Sequence, residues 1–152
     1  MDAVPLSAAQ VLDAFFLRAR FLRHPALRGR GDRVHTQLRR FLEVCGEQWM
    51  TGTENSLLAA ERQIEPAGAV VRTMSPESLL SALPEFLAPH WMLTDAFDAG
   101  SQVRVVAALR VWLLEWRVVD AAEMEPGLLE LDAAVDAARR RLAAGRRLDS
   151  VR

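Results

Sequence analysis

A chain of 152 residues, 51% apolar and 26% charged, is long enough to bury one sizeable core without disulfides or metal and too hydrophobic to remain unfolded. Its single cysteine, Cys45, excludes an internal disulfide framework. The most apolar stretch, residues 103–119, is interrupted by Arg104, Arg110, Glu115 and Arg117, which excludes it as a membrane span of roughly 20 mainly apolar residues.

The net charge of -1 conceals an asymmetry: residues 18–40 hold eight arginines against Asp32 alone, and residues 115–136 hold seven acids against Arg117 alone. All nineteen basic residues are arginine. Apolar residues recur at close to helical spacing along most of the chain, and no sustained apolar/polar alternation suggests a strand. The fold class expected is all-α, a single-domain bundle of about five to six helices spanning 1–152, with N-terminal helices over 7–65 and a second helical region over 75–142.

Ser7 opens a first helix that runs to Arg23, with Val11, Leu12, Phe15, Ala19 and Leu22 on one face, before His24-Pro25 interrupts it. Arg28-Gly29-Arg30-Gly31 reads as a break. Asp32 then caps a second helix whose apolar stripe is Val34, Leu38, Phe41, Leu42, Cys45 and Trp49, with Arg39 and Glu43 paired outside it. A shorter helix covers 54–63 and ends before the break at Pro66-Ala67-Gly68. Ser75-Pro76-Glu77 combines a hydroxyl cap, proline at the first helical position and an acid at the positive end of the dipole. Leu79, Leu80 and Leu83 face inward, and Pro84 and Pro89 keep the continuation to His90-Trp91 short or kinked.

Ser101 can cap a helix over 101–119 with two apolar faces. Val105, Leu109, Trp112, Trp116 and Val119 share one side of a 100° wheel, while Val103, Ala107, Val111, Leu114 and Val118 lie roughly opposite. Arg110 with Arg117, and Arg104 with Glu115, form the seams. A helix apolar on both sides is sandwiched between layers, so this is the expected central helix, unless one face awaits a partner. Val103, Val111, Leu114, Val118, Arg110 and Arg117 are therefore the candidate partner-binding residues. Leu79, Leu83, Leu109, Trp112, Trp116, Leu128 and Leu131 are the expected structural core. The last helix starts at Pro126, buries Leu128, Leu131, Val135, Ala138 and Leu142, and carries Arg139 to Arg141 near its negative end.

No motif for catalysis or a cofactor stands out. His24, His35 and His90 lack a metal-ligand spacing to one another, to Cys45 or to a carboxylate. Cys45 reads as core, although a histidine partner could meet it in the fold. Gly29 and Gly31 lack the lysine and preceding strand of a phosphate loop. The acids between Asp120 and Asp136 read as a solvated face. No catalytic residue, metal or cofactor is expected. The arginines of 18–40 could neutralise nucleic-acid phosphates or anionic lipid, but exposed aromatics do not interleave with them and Glu43 and Glu47 lie within helical reach of Arg39 and Arg40.

Ser75-Pro76-Glu77-Ser78-Leu79-Leu80, then Arg104-Val105-Val106-Ala107-Ala108-Leu109-Arg110-Val111-Trp112-Leu113 and Val119-Asp120, resemble the Ras exchanger motif, the N-terminal domain of Ras-family guanine nucleotide exchange factors. Glu123, Glu125, Leu128, Leu129 and Leu131 are similar to the acidic, leucine-bearing helix that closes that module. The resemblance covers about residues 70–142. It implies a non-catalytic helical platform that regulates small-GTPase signalling, with a small GTPase or an exchange-factor catalytic domain as its protein partner. Two other readings stand beside it. One is a helical adaptor or homodimer that covers the second apolar face itself, and the other is a small nucleic-acid-binding regulator using Arg18 to Arg40. The absence of a signal-like start in MDAVPLSAAQ, together with the lone cysteine, predicts a cytoplasmic setting.

Overall fold

A computed structural model describes residues 5–19 and 24–151. The chain is 79% helical and all-α, with seven α-helices and no strand among the described residues. They are α1 (Ala8–Arg18), α2 (Pro25–Cys45), α3 (Gly52–Ile64), α4 (Ala69–Thr73), α5 (Pro76–Phe86), α6 (Ala96–Glu115) and α7 (Glu125–Ser150). Short 3₁₀ turns at Gly46–Trp49 and Pro89–Trp91 join α2 to α3 and α5 to α6. Among the described residues, no helix is long and apolar enough to cross a membrane.

Local sequence sets most helix starts. Ser7 closes a capping box with Gln10 at the start of α1, and Thr51 closes another with Glu54 at the start of α3. Ser75 caps α5, with Pro76 following it, as its sequence predicts. The Pro66-Ala67-Gly68 break also forms, and Gly68 takes the positive φ of 73° that a residue with a Cβ adopts only under strain.

Four boundaries differ from expectation. α1 ends at Arg18, and Leu22 and Arg23 lie outside the described residues. α2 begins at Pro25, not Asp32, so Arg28-Gly29-Arg30-Gly31 is helical. Proline is pre-organised for a first turn, and the packing of α2 against α6 outweighs a cost of about 1 kcal/mol per glycine. α6 begins five residues before Ser101, because Asp95 Oδ1 accepts from the Phe97 and Asp98 backbone amides and provides the cap. α7 continues to Ser150, so Arg139 to Arg141 sit in mid-helix rather than near its negative end. Trp49 leaves the α2 stripe for the 3₁₀ turn yet still packs on Phe41, ring centroids 5.7 Å apart. Arg39 turns from Glu43 to donate to His35 Nε2 at 2.8 Å and to Asp13 at 2.6 Å.

The core runs through the molecule as one cluster, with Phe15, Phe41, Phe86, Leu38, Leu79 and Leu83 among its fully buried members. α6 is flanked by α2 and by α7, and Trp112 meets Phe15 of α1 at 6.1 Å, edge to face. Polar groups tie the layers together. Arg33 of α2 makes a two-pronged pair with Asp98 of α6 at 2.9 and 2.8 Å, which lowers the Asp98 carboxyl below its usual range and raises the Arg33 guanidinium.

Glu54 joins two helix starts. It is 8% exposed and accepts from the Thr51 amide at 2.6 Å, the Ser75 amide at 2.5 Å and the Ser78 hydroxyl at 2.9 Å. One carboxylate thus closes the capping box of α3 and faces the positive end of α5. Burial pushes this carboxyl up, but the donors from Thr51, Ser75 and Ser78 outweigh it and hold the group below its ordinary value. Glu54→Gln puts an amide donor against these donors and is expected to cost about 2 kcal/mol at pH 7. Because the folded carboxyl is the stronger acid, the stabilisation is complete above the unfolded value near 4.3 and is lost as pH falls through the folded one. Urea titrations from pH 7 to pH 3 should show the gap between wild type and Glu54→Gln closing only below about pH 4; a constant gap would contradict this assignment.

Candidate functional site

The surface of α6 contains two places where local structure departs from what packing alone requires. The first is the corner at its C-terminal end. Trp116 is the C-cap; the Val118 amide reaches back to the Leu113 carbonyl at 2.9 Å and the Arg117 amide to that of Leu114 at 3.1 Å. These two bonds define a Schellman motif, whose C′ position is left-handed and normally taken by glycine. Here it is Arg117, at φ 52°, the one non-glycine residue of positive φ among those described. An L-residue pays roughly 1–2 kcal/mol for this conformation.

The corner exposes the chemistry of a protein contact. Trp116 is 58% exposed and Val111 is 47% exposed. Trp116 rests on Trp112 at 6.0 Å, and the Arg18 guanidinium lies 5.8 Å from the Trp116 ring. Leu114, Arg117, Val119, Asp120 and Ala121 line a shallow depression of about 450 Å³ beside it.

The predicted partner-binding residues divide accordingly. Leu114 and Arg117 line the depression at this corner and Val118 beside them is half-buried, while Val111 is exposed one turn back along α6, on the wheel face roughly opposite Trp112 and Trp116. Val103 is 2% exposed and belongs to the core. Arg110 is bound to Asp132 of α7, its Nη2 donating at 3.0 Å, so it fastens α7 to α6 and is not an available surface cation. The second apolar face of the wheel is therefore partly covered by α7 and open only towards the C-terminal end. Leu79, Leu83, Leu109, Leu128 and Leu131 are buried as expected, and Trp112 packs half-buried against them. Trp116 is not core: its amide still bonds the Trp112 carbonyl and its ring follows Trp112 one turn on, but it caps the helix end and is left 58% exposed.

The second place is a cleft of about 640 Å³ between α2, α6 and the C-terminal half of α7. Phe97, Gly100, Ser101 and Arg104 of α6 face Arg139, Leu142, Ala143 and Arg146 of α7, with Leu27 and Arg30 of α2 closing one side. Each facing set follows the i, i+3, i+4, i+7 rule. A helix capped at Ser101 leaves Gly100 outside α6, and a basic stretch ending at Arg141 leaves out Arg146, so this cleft is absent from the expected surface. The paired stripes were the available signal.

Other candidate groups are occupied structurally. His35 stacks on Phe16 at 3.9 Å with the rings nearly parallel, and burial together with the adjacent Arg39 holds its pKa below the ordinary value. His90 Nε2 is 3.2 Å from Glu85. Among the described residues, no three His, Cys, Asp or Glu side chains come close enough to hold a metal ion. Within the 18–40 segment, Arg18 and Arg30 lie over aromatic rings while Arg33 and Arg39 bind acids; Arg20 and Arg23 lie outside the described residues.

No family model, curated protein or solved structure matches this chain.

The strain at Arg117 generates a direct expectation. Arg117→Gly relieves the left-handed penalty while keeping both Schellman bonds, and should raise unfolding stability by about 1 kcal/mol in urea titrations. An equal or larger loss would mean that the arginine side chain holds the corner together.

Proposed function

We propose that this chain is a non-catalytic helical protein-interaction module that engages its partner through the corner formed by Val111, Leu114, Trp116, Arg117 and Val118. The observation that carries this reading is the left-handed Arg117 beside the exposed Trp116. Strained backbone persists where something other than stability selects the residue, and Trp and Arg dominate the energetics of protein interfaces. Leu114 and Val118, half-buried next to Arg117 in the chain, add apolar surface at the same end of α6.

The resemblance of residues 70–142 to the Ras exchanger motif selects the first partners to test. A small GTPase, or the catalytic domain of an exchange factor, would meet this module as a regulatory platform in small-GTPase signalling. Its opposed acidic and basic segments would orient an approaching charged partner and speed the encounter.

The test is binding of the immobilised chain to a panel of small GTPases, in both nucleotide states, and of exchange-factor catalytic domains. At least one should bind, and Trp116→Ala and Arg117→Gly should each weaken that binding tenfold or more, about 1.4 kcal/mol. Arg117→Gly separates binding from folding, because the same variant is expected to be more stable. Binding unaffected by both substitutions would remove the corner from the interface, and no binding across the panel would remove the GTPase assignment. A dimer at low concentration by light scattering that Val111→Asp converts to monomer would instead assign the corner to self-association.

A further inference from the structure

The cleft at the other end of α6 is independent of the corner and of the protein-binding reading. Its lining is chemically one-sided. Arg30, Arg104, Arg139 and Arg146 line it and none of the described residues lining it is acidic, the nearest acids being Asp136, 4.0 Å from Arg139 on its own helix, and Asp149 in the adjoining cavity. Its apolar part comes from Leu27, Val103 and Leu142, while Phe97, 69% exposed, stands at the edge with the Arg30 guanidinium 5.0 Å from its ring centre. A volume of about 640 Å³ falls within the range of roughly 300–1,000 Å³ seen for small-molecule sites, which combine an apolar lining with a few convergent polar groups.

Gly100 provides the second observation. It lies within α6, where glycine is less favourable than alanine. A Cβ added there would meet nothing within 4 Å, so packing does not require glycine at this position. By contrast, a Cβ on Gly46 would come within 2.9 Å of Val70 and Met74, and there packing does. What Gly100 keeps is open space, because it forms part of the cleft wall. Gly145 of α7 repeats the pattern: its added Cβ also meets nothing within 4 Å, and it lines a smaller cavity of about 260 Å³ that shares Ala96, Leu142 and Arg146 with the cleft.

From these features we infer that the cleft binds a single-chain anionic amphiphile, a carboxylate or phosphate head on an aliphatic chain, taken up from solution. The head is held among the guanidiniums, whose planar donors match carboxylate and phosphate oxygens. The chain lies on Leu27, Val103 and Leu142, over the space left by Gly100. One charged head and one aliphatic chain match a cleft of this volume whose lining combines guanidiniums with a few apolar side chains.

Calorimetric titration with submicellar dodecanoate tests this, with dodecyltrimethylammonium and acetate as controls for head charge and for the chain. The expected result is saturable binding of one dodecanoate, at least tenfold weaker binding of the cationic amphiphile, and no saturation by acetate. Gly100→Leu should fill the cleft from its own wall and weaken dodecanoate at least tenfold, with an unfolding temperature no lower than wild type. Arg139→Ser combined with Arg146→Ser should narrow the preference for the anionic head. Equal binding of both head charges, many dodecanoates per chain, or unchanged affinity in Gly100→Leu would each overturn the inference. So would a self-associating chain that Gly100→Leu makes monomeric, since a second copy would then be the occupant.

Discussion

The side-chain amide of Gln102 is fully buried in the first half of α6, and its bonds go to the end of α5 and to the connection that delivers the chain from α5 into α6. Its Nε2 donates to the Phe86 and Trp91 carbonyls, both at 3.1 Å, and its Oε1 accepts from the Leu93 amide at 2.9 Å. Gln37 of α2 adds a donor to the same Trp91 carbonyl at 3.0 Å. The connection contains the 3₁₀ turn at Pro89–Trp91 and would otherwise leave carbonyls unpaired inside the protein, at roughly 1–3 kcal/mol each. Gln102 thus fixes the depth and rotation of α6, the helix that carries both candidate surfaces.

The rest of the polar framework places the neighbours of α6. Arg33 and Asp98 set α2 against its first turn, and Arg110 and Asp132 set α7 along its second half. Arg141 donates to the Leu87 carbonyl at 2.5 Å, which ties α7 to the end of α5. Glu54 does the same for the N-terminal layer by sharing one carboxylate between α3 and α5. Each tie joins elements distant in sequence through a carboxylate or a carbonyl that would be costly to bury alone. Arginine is the cation throughout because lysine is absent from the chain, and its fork suits paired contacts of this kind.

The helices were legible in the sequence where a cap and an apolar stripe agreed. Ser75-Pro76, the Pro66–Gly68 break and the leucines of α5 and α7 are examples. They were illegible where two signals competed. Asp95 and Ser101 are both good caps, and nothing local shows that the Gln102 amide must lie inside the helix to reach Phe86, Leu93 and Trp91. Glycines at 29 and 31 read as punctuation, yet α2 passes through them because its neighbours supply the packing. The double-faced character of α6 was visible on a wheel, but which face stayed open was not, since that depends on Arg110 meeting an acid 22 residues later in α7. Most of the candidate corner was therefore legible, Trp116 excepted, and the cleft was not, because it exists only when α6 and α7 are laid side by side.

The two candidate surfaces share a physical signature. A sequence specifies a fold when local preference, packing and polar satisfaction agree, and natural proteins break that agreement mainly at functional positions. Along α6 and its cap the agreement breaks twice. Gly100 gives up helix propensity without a packing reason, and Arg117 takes a backbone conformation for which glycine was the stable choice. At the first position a missing side chain preserves space; at the second a retained side chain preserves a charge. Neither residue contributes to the core, and simple substitutions at both would improve local stability. A helix of twenty residues is about 30 Å long, so the two departures stand at separate sites, and each has to be explained by what its own end of α6 presents to solvent.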